Sequence, residues 1–249
     1  MDTASLDYGQ SKDYSSHGIF GRANIPGFEM VANLDKLPPK GATIYAAVLK
    51  FEGGSGGPSR IFAEIRKGQT NETLSTKTKW LDMTHSLING TVYWPDQTPF
   101  SLRSVYNPNK TRDGFYLRIF EYTAFEHCGT HLDAPIHFAR GKRSVHELTL
   151  DNLIGQAVKI DISEKVAENS IYQLKVSDIE EWEKRHKKIQ EEVIVLVYTG
   201  WGKYFYNNRA KYLGLKSGAT KSLSFPGKKY ILITFYIKIY NLFSSEPSD

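Results

Sequence analysis

The chain has 249 residues, 40% of them apolar, with 32 basic and 27 acidic side chains and a formal charge of +5. That composition can build a core, in one large domain with extensions or in two small domains, and a single cysteine, Cys128, excludes an internal disulfide framework. The basic runs Arg140–Arg143 and Lys184–Lys188 are short, the second shares a helix with glutamates, and both read as solvated surface without a nucleic-acid module.

The first twenty residues, MDTASLDYGQSKDYSSHGIF, are polar and lack the apolar stretch of a secretory leader, so a cytoplasmic location is the expectation. Thr43–Phe51 (TIYAAVLKF) predicts a strand, Glu52–Pro58 (EGGSGGP) a flexible turn or linker, and Ile61–Ile65 a second strand closing a hairpin. Nothing else in residues 1–78 assigns them a role, and they read as an N-terminal extension or a small appended domain. Sequons at Asn71, Asn89 and Asn109 occur about as often as chance allows and do not establish secretion.

Phe115–Phe125 (FYLRIFEYTAF) predicts a strand, and Ala157–Ile162 and Val193–Tyr198 look like buried ones. Ser177-Asp-Ile-Glu180 is a capping box opening a helix through Gln190, with Ile179, Trp182 and Ile189 as its apolar residues. A second short helix is expected over Lys203–Leu213. Strands alternating with a few helices predict a mixed, β-rich α/β domain. From Lys228 the composition changes to a tail, residues 228–249, crowded with Ile, Tyr and Phe. Its run Ile231–Ile237 falls well short of the ~20 residues of a membrane span, so no membrane contact is implied. The tail reads as an added strand or as an aggregation-prone end.

The chemistry is concentrated in EHCGTHLDAPIHF, residues 126–138, which holds His127, His131, Asp133 and His137 within eleven residues. Imidazole and carboxylate are the usual ligands of zinc and similar divalent ions. Gly129 and Pro135 disfavour a helix here. In an extended stretch of period two, His127, His131 and Asp133 share one face, with His137 on the same parity. Cys128, on the opposite parity, reads as a packing residue.

This segment resembles the H-x-G-T-H-x-D-A-P-x-H-F signature of the metal-dependent cyclase-like hydrolases, which include bacterial-type kynurenine formamidases and isatin hydrolases. Leu81-Asp-Met-Thr-His85-Ser-Leu87 with Trp94-Pro95 upstream, and Leu153-Ile-Gly155, Val158-Lys-Ile-Asp161 and Tyr198-Thr-Gly-Trp201 downstream, are similar to further family stretches in the expected order. The resemblance implies a cyclase-like domain over residues 79–227, of the swivelling β/β/α fold and usually a homo-oligomer. It implies that His127, His131 and Asp133 bind a divalent metal, Zn or Mn, and that His137 is the catalytic histidine that moves a proton. The implied reaction is attack of metal-activated water on a small-molecule amide. The substrate would be an aryl formamide, as when N-formylkynurenine yields kynurenine and formate in tryptophan catabolism, or a small cyclic amide. Tyr93, Trp94 and Phe100 are candidate aromatic walls of the pocket.

One departure stands out. The family completes its metal site with a later His and Glu, yet no histidine follows His186 here, and past Glu192 only Glu246 and Asp249 are acidic. The alternative is therefore a truncated, non-catalytic homologue holding part of a metal site. His85, Glu126 and His146 are the spare candidates to complete it.

Overall fold

In the computed structural model, which describes residues 1–7, 13–66, 78–94, 97–106 and 116–214, most strands join one sheet. The strands in chain order are β1 (Gly27–Glu29), β2 (Lys40–Val48), β3 (Gly56–Arg66), β4 (Thr78–Asp82), β5 (Ser101–Tyr106), β6 (Ile119–Thr123), β7 (His131–Asp133), β8 (Ile154–Asp161) and β9 (Ile194–Tyr198). The main sheet runs β1-β7-β3-β2-β8-β9, and β4 also pairs with β3. The expected hairpin is β2–β3, antiparallel from Ala42↔Ile65 to Val48↔Ser59. On its other edge β3 serves two partners, β7 through Gly56–Pro58 and β4 through Phe62–Arg66.

The strands between residues 27 and 66 are thus built into the sheet, and the appended-domain expectation gives way. Strands β1, β2 and β3 pair with β7, β8 and β4 from the later part of the chain. Asp2 strengthens the same union. Its carboxylate accepts from Thr199 N (2.9 Å), Thr199 Oγ1 (2.8 Å), Trp201 N (2.9 Å) and Gly202 N (3.2 Å), satisfying the loop that follows β9.

Two apolar clusters pack on the sheet. Period-two alternation sends Ile194 and Leu196 of β9 into one and Val195 and Val197 into the other. Strands β8 and β9 are parallel, joined through helices that cover them, which is why both their faces are apolar. That arrangement, within a largely antiparallel sheet, is the mixed β-rich α/β architecture predicted.

The long crossover helix spans Val176–His186, shorter than predicted and opened differently: Asp178, at the third helical position, accepts from Lys175 N at 2.7 Å. Positive φ at Lys187 ends it. Ile179 and Trp182 face the core as expected, and Trp182 Nε1 donates to Lys159 O at 2.8 Å. Burying a side chain of that size contributes roughly 2–3 kcal/mol. The helix expected over 203–213 is two pieces, a single 3-10 turn at Gly202–Tyr204 and an α-helical turn at Arg209–Tyr212.

The strand expected over Phe115–Phe125 is β6, but it pairs only with β5 in a separate two-stranded sheet. All five β6 residues are exposed. Apolar sequence alone predicts burial; a two-stranded ribbon beside the main sheet has no second layer to supply it. No described helix is long and apolar enough to cross a membrane. The tail from 228 lies outside the described residues, as do Asn71 and Asn109.

Candidate metal centre

The motif converges by a different route from the extended stretch expected. Only His131–Asp133 is a strand, β7. Gly129 has φ +63°, and a Cβ there would sit 2.9 Å from Leu87 Cδ2, so the left-handed turn and the packing both call for glycine. That turn folds His127 back against the strand it precedes. After Asp133, Pro135 opens a single 3-10 turn, Pro135–His137, which returns His137 to the same place. Shared parity is replaced by two turns flanking a short strand.

Asp133 is the hub, and the three histidines of the motif surround it. Its Oδ1 lies 2.7 Å from His127 Nδ1 and 3.3 Å from His131 Nε2. His137 stacks on His127 with ring centroids 4.0 Å apart. His131 Nδ1 donates to Gly129 O at 2.8 Å, which fixes the tautomer and turns Nε2 toward the carboxylates. Burial opposes ionisation of Asp133, but the charge and hydrogen bond of His127, with the imidazoles of His131 and His17 close by, hold its carboxyl well below the usual carboxylate range. Burial also acts against protonated His131, and is outweighed by the bond and charge of Asp133, so its pKa is raised. His137 lies outside those bonds, and burial lowers its pKa to about 4, favouring neutral imidazole.

Two further ligand-type side chains reach the hub, and sequence reasoning missed both. His17, on the helix Ser15–Arg22, has Nε2 3.3 Å from Asp133 Oδ2 and 3.2 Å from Glu29 Oε1. Glu29, on β1, pairs in register with His131 and has Oε2 3.6 Å from His131 Nε2. His17, Glu29 and Asp133 form one group of atoms able to hold an ion; His127, Asp133 and His137 form another.

His17 is held as a ligand would be. Its Nδ1 donates to Asp7 through a short contact, and Asp7 also accepts from Ser16 N (2.7 Å) and His17 N (3.2 Å). A carboxylate behind the imidazole is the usual way a metal-binding histidine is oriented. The helix itself is seated by Gly21, where a Cβ would lie 2.7 Å from Pro135 O and 2.9 Å from Ala139 Cβ. One signal was available: Glu29 interrupts the apolar run Phe28–Ala32, and an acid in a fully buried run asks for a partner.

The spare candidates do other work. His85 stacks on Phe205 at 3.7 Å, and burial lowers its pKa to about 4. His146 Nδ1 accepts from Gly53 N at 3.0 Å. Glu126 accepts from Ser55 N (3.2 Å) and Ser55 Oγ (2.5 Å), and the same Oγ lies 3.1 Å from His127 Nε2. The EGGSGGP segment is therefore a wall of the site and no free linker. A Cβ on Gly56 would stand 2.4 Å from Leu132 O and 2.6 Å from His127 Cε1, so the glycines serve close approach. Cys128 is fully buried, which pushes its thiol up to about 11, as a packing residue.

The profile of the family described as "Putative cyclase" matches residues 81–233, more than half of the chain. The chain belongs to that family. Among curated relatives, kynurenine formamidase of Geobacillus thermodenitrificans is 37% identical over 84 residues, and that of Bacillus anthracis 32% over 85. Each match covers 34% of this chain and 39% of the relative. Isatin hydrolase A of Ralstonia solanacearum aligns in three dimensions at 29% identity and TM-score 0.48, covering 55% of each chain. The Labrenzia aggregata isatin hydrolase A, solved with benzyl benzoate, aligns at 29% identity and TM-score 0.45, covering 55% of this chain and 56% of that one.

The side chains of this cyclase-family member suit a divalent ion. Asp133 Oδ2 is buried and has no aligned hydrogen-bond donor, although His17 Nε2 lies within ion-pair distance. A buried carboxylate oxygen left in that state is costly, and a cation beside it removes the cost. The donors are imidazole nitrogens and carboxylate oxygens, the set that borderline metals take.

Proposed function

We propose that the chain is a metal-dependent amide hydrolase acting on the C–N bond of an aryl formamide, such as N-formylkynurenine, or of a small cyclic aryl amide. One observation carries this reading: His127, His131 and Asp133 share a single buried centre with His17 and Glu29. The later His and Glu whose absence suggested a partial, non-catalytic site have equivalents of the right chemistry in the N-terminal segment.

A bound Zn or Mn ion supplies Lewis acidity and acidifies water at neutral pH. The protein does the rest. His127, His131, Asp133, His17 and Glu29 would hold the ion, with Asp133 common to both groups. The carboxylate of Asp7 and the carbonyl of Gly129 keep His17 and His131 turned inward. His137, neutral and beside His127, takes the proton of water and passes it to the departing nitrogen. A C–O bond forms at the formyl carbon, the C–N bond breaks, and amine and formate leave.

Zinc and manganese are counted per chain after loading and buffer exchange, and formate release from N-formylkynurenine is followed. The expected result is retained metal and turnover lost in His137→Ala at unchanged metal content. Retained metal with neither formate release nor ring opening of isatin would overturn the activity, and a folded protein retaining no metal would overturn the site.

A further inference from the structure

Glu126 borders the apolar cleft that Phe100 also lines. The other aromatic walls expected from sequence go elsewhere: Tyr93 lies under Arg209, whose guanidinium carbon is 4.3 Å from its ring, and Trp94 packs on the core. The carboxylate of Glu126 turns to Ser55, in the glycine-rich segment that leads into β3. The Ser55 hydroxyl is 2.5 Å from Glu126 Oε2 and 3.1 Å from His127 Nε2. Both backbone groups of Ser55 are pinned as well. Its N–H donates to the same carboxylate at 3.2 Å, and its carbonyl accepts from Ala134 N, next to Asp133, at 2.8 Å.

Counting protons gives the two side-chain bonds a direction. A serine hydroxyl has one proton and two lone pairs, and a carboxylate only accepts. The hydroxyl proton goes to Glu126, so Ser55 Oγ accepts from His127, and Nε2 carries the proton. Nδ1, on the opposite side of the ring, lies 2.7 Å from the Asp133 carboxylate common to both ligand groups.

We propose that Ser55, backed by Glu126, is a positioning residue of the metal centre, which holds His127 in the tautomer protonated at Nε2 and presents Nδ1 to the ion. The proposal rests on the metal-dependent reading above. It completes a pattern in which each imidazole ligand has an acceptor behind it. His17 and His131 are held by Nδ1, on Asp7 and on Gly129 O, and so offer Nε2. His127 is held the other way round. It is 4% exposed, and without the Ser55 hydroxyl its Nε2 would keep only Glu126, 4.0 Å away. The ring then gains by moving its proton to Nδ1 or by turning, and either change spoils the ligand.

The full chain, labelled with 15N-histidine and loaded with zinc, is examined by two-bond 1H–15N spectra, His127 being assigned by its loss in His127→Gln. Zinc is expected on Nδ1 of His127 and on Nε2 of His17 and His131. Ser55 is half-buried, so Ser55→Ala should melt like the parent. Its zinc affinity, read by chelator competition, should fall about tenfold, and Ser55→Thr, which restores the hydroxyl, should regain most of the loss. Zinc on Nε2 of His127, or Ser55→Ala binding zinc as tightly as the parent, overturns the positioning role and leaves the metal centre standing. Equal losses in Ser55→Ala and Ser55→Thr also overturn it, since packing and not the hydroxyl would then be at work. A folded parent chain that binds no zinc overturns the centre and this proposal together.

Discussion

The two groups of ligand-type residues around Asp133 are assembled in contrasting ways. His127, His131, Asp133 and His137 come from eleven consecutive residues, and two tight turns around a three-residue strand bring them together. His17 and Glu29 come from a helix and an edge strand about a hundred residues earlier, placed by the β1–β7 pairing and by the seating of Gly21 on Pro135. The first group depends on local backbone geometry, the second on the whole sheet having formed. A site of this kind can be half present in a partly formed molecule, with the motif intact and the second group missing.

The largest effect is expected at Asp133, where the two groups meet. Asp133→Ala removes the shared carboxylate and leaves His127, His131 and His17 without their common partner, so metal retention should vanish. Breaking such a buried cluster should cost about 3–5 kcal/mol in urea unfolding of the metal-free protein. If Asp133→Ala retains a full equivalent of zinc, the two groups do not share a hub.

Glu29→Gln tests the long-range group by itself. It keeps the shape of β1 and removes one charge, and the zinc affinity should fall by about 10- to 100-fold while the folded sheet, read by circular dichroism, is unchanged. Unaltered affinity would mean that the motif holds metal alone and that the N-terminal segment is only structural. Asp7→Asn is milder: it touches no ion, but releases the imidazole of His17, and about a tenfold loss of zinc affinity is expected. His17→Ala combined with Asp7→Asn should then cost no more than His17→Ala, since Asp7 acts through His17; additive losses would assign Asp7 a separate role.

Much of the molecule was legible from residue order. The β2–β3 hairpin, the buried strands β8 and β9 and the inward face of Trp182 follow from period and composition, which report on local backbone and one-sided burial. The motif residues were legible too, since three imidazoles and a carboxylate crowded into so short a segment make a donor set that suits a divalent ion. Their geometry was less so, because a positive φ at Gly129 converts a parity argument into a turn. That β6 is a strand was legible, and its exposure depends on which strands found neighbours.

Residue order by itself determined the family, the donor set the motif offers and the strand-rich character of the chain, all properties carried by neighbours in sequence. Only the tertiary structure decided that β1, β2 and β3 belong to the same sheet as the later strands, that His17 and Glu29 meet Asp133, and that EGGSGGP walls the site. The physical reason is the same in each case. Antiparallel pairing and helix packing bring together residues whose separation along the chain leaves no periodic trace, and a lone His or Glu looks the same in sequence whether it faces solvent or a buried carboxylate.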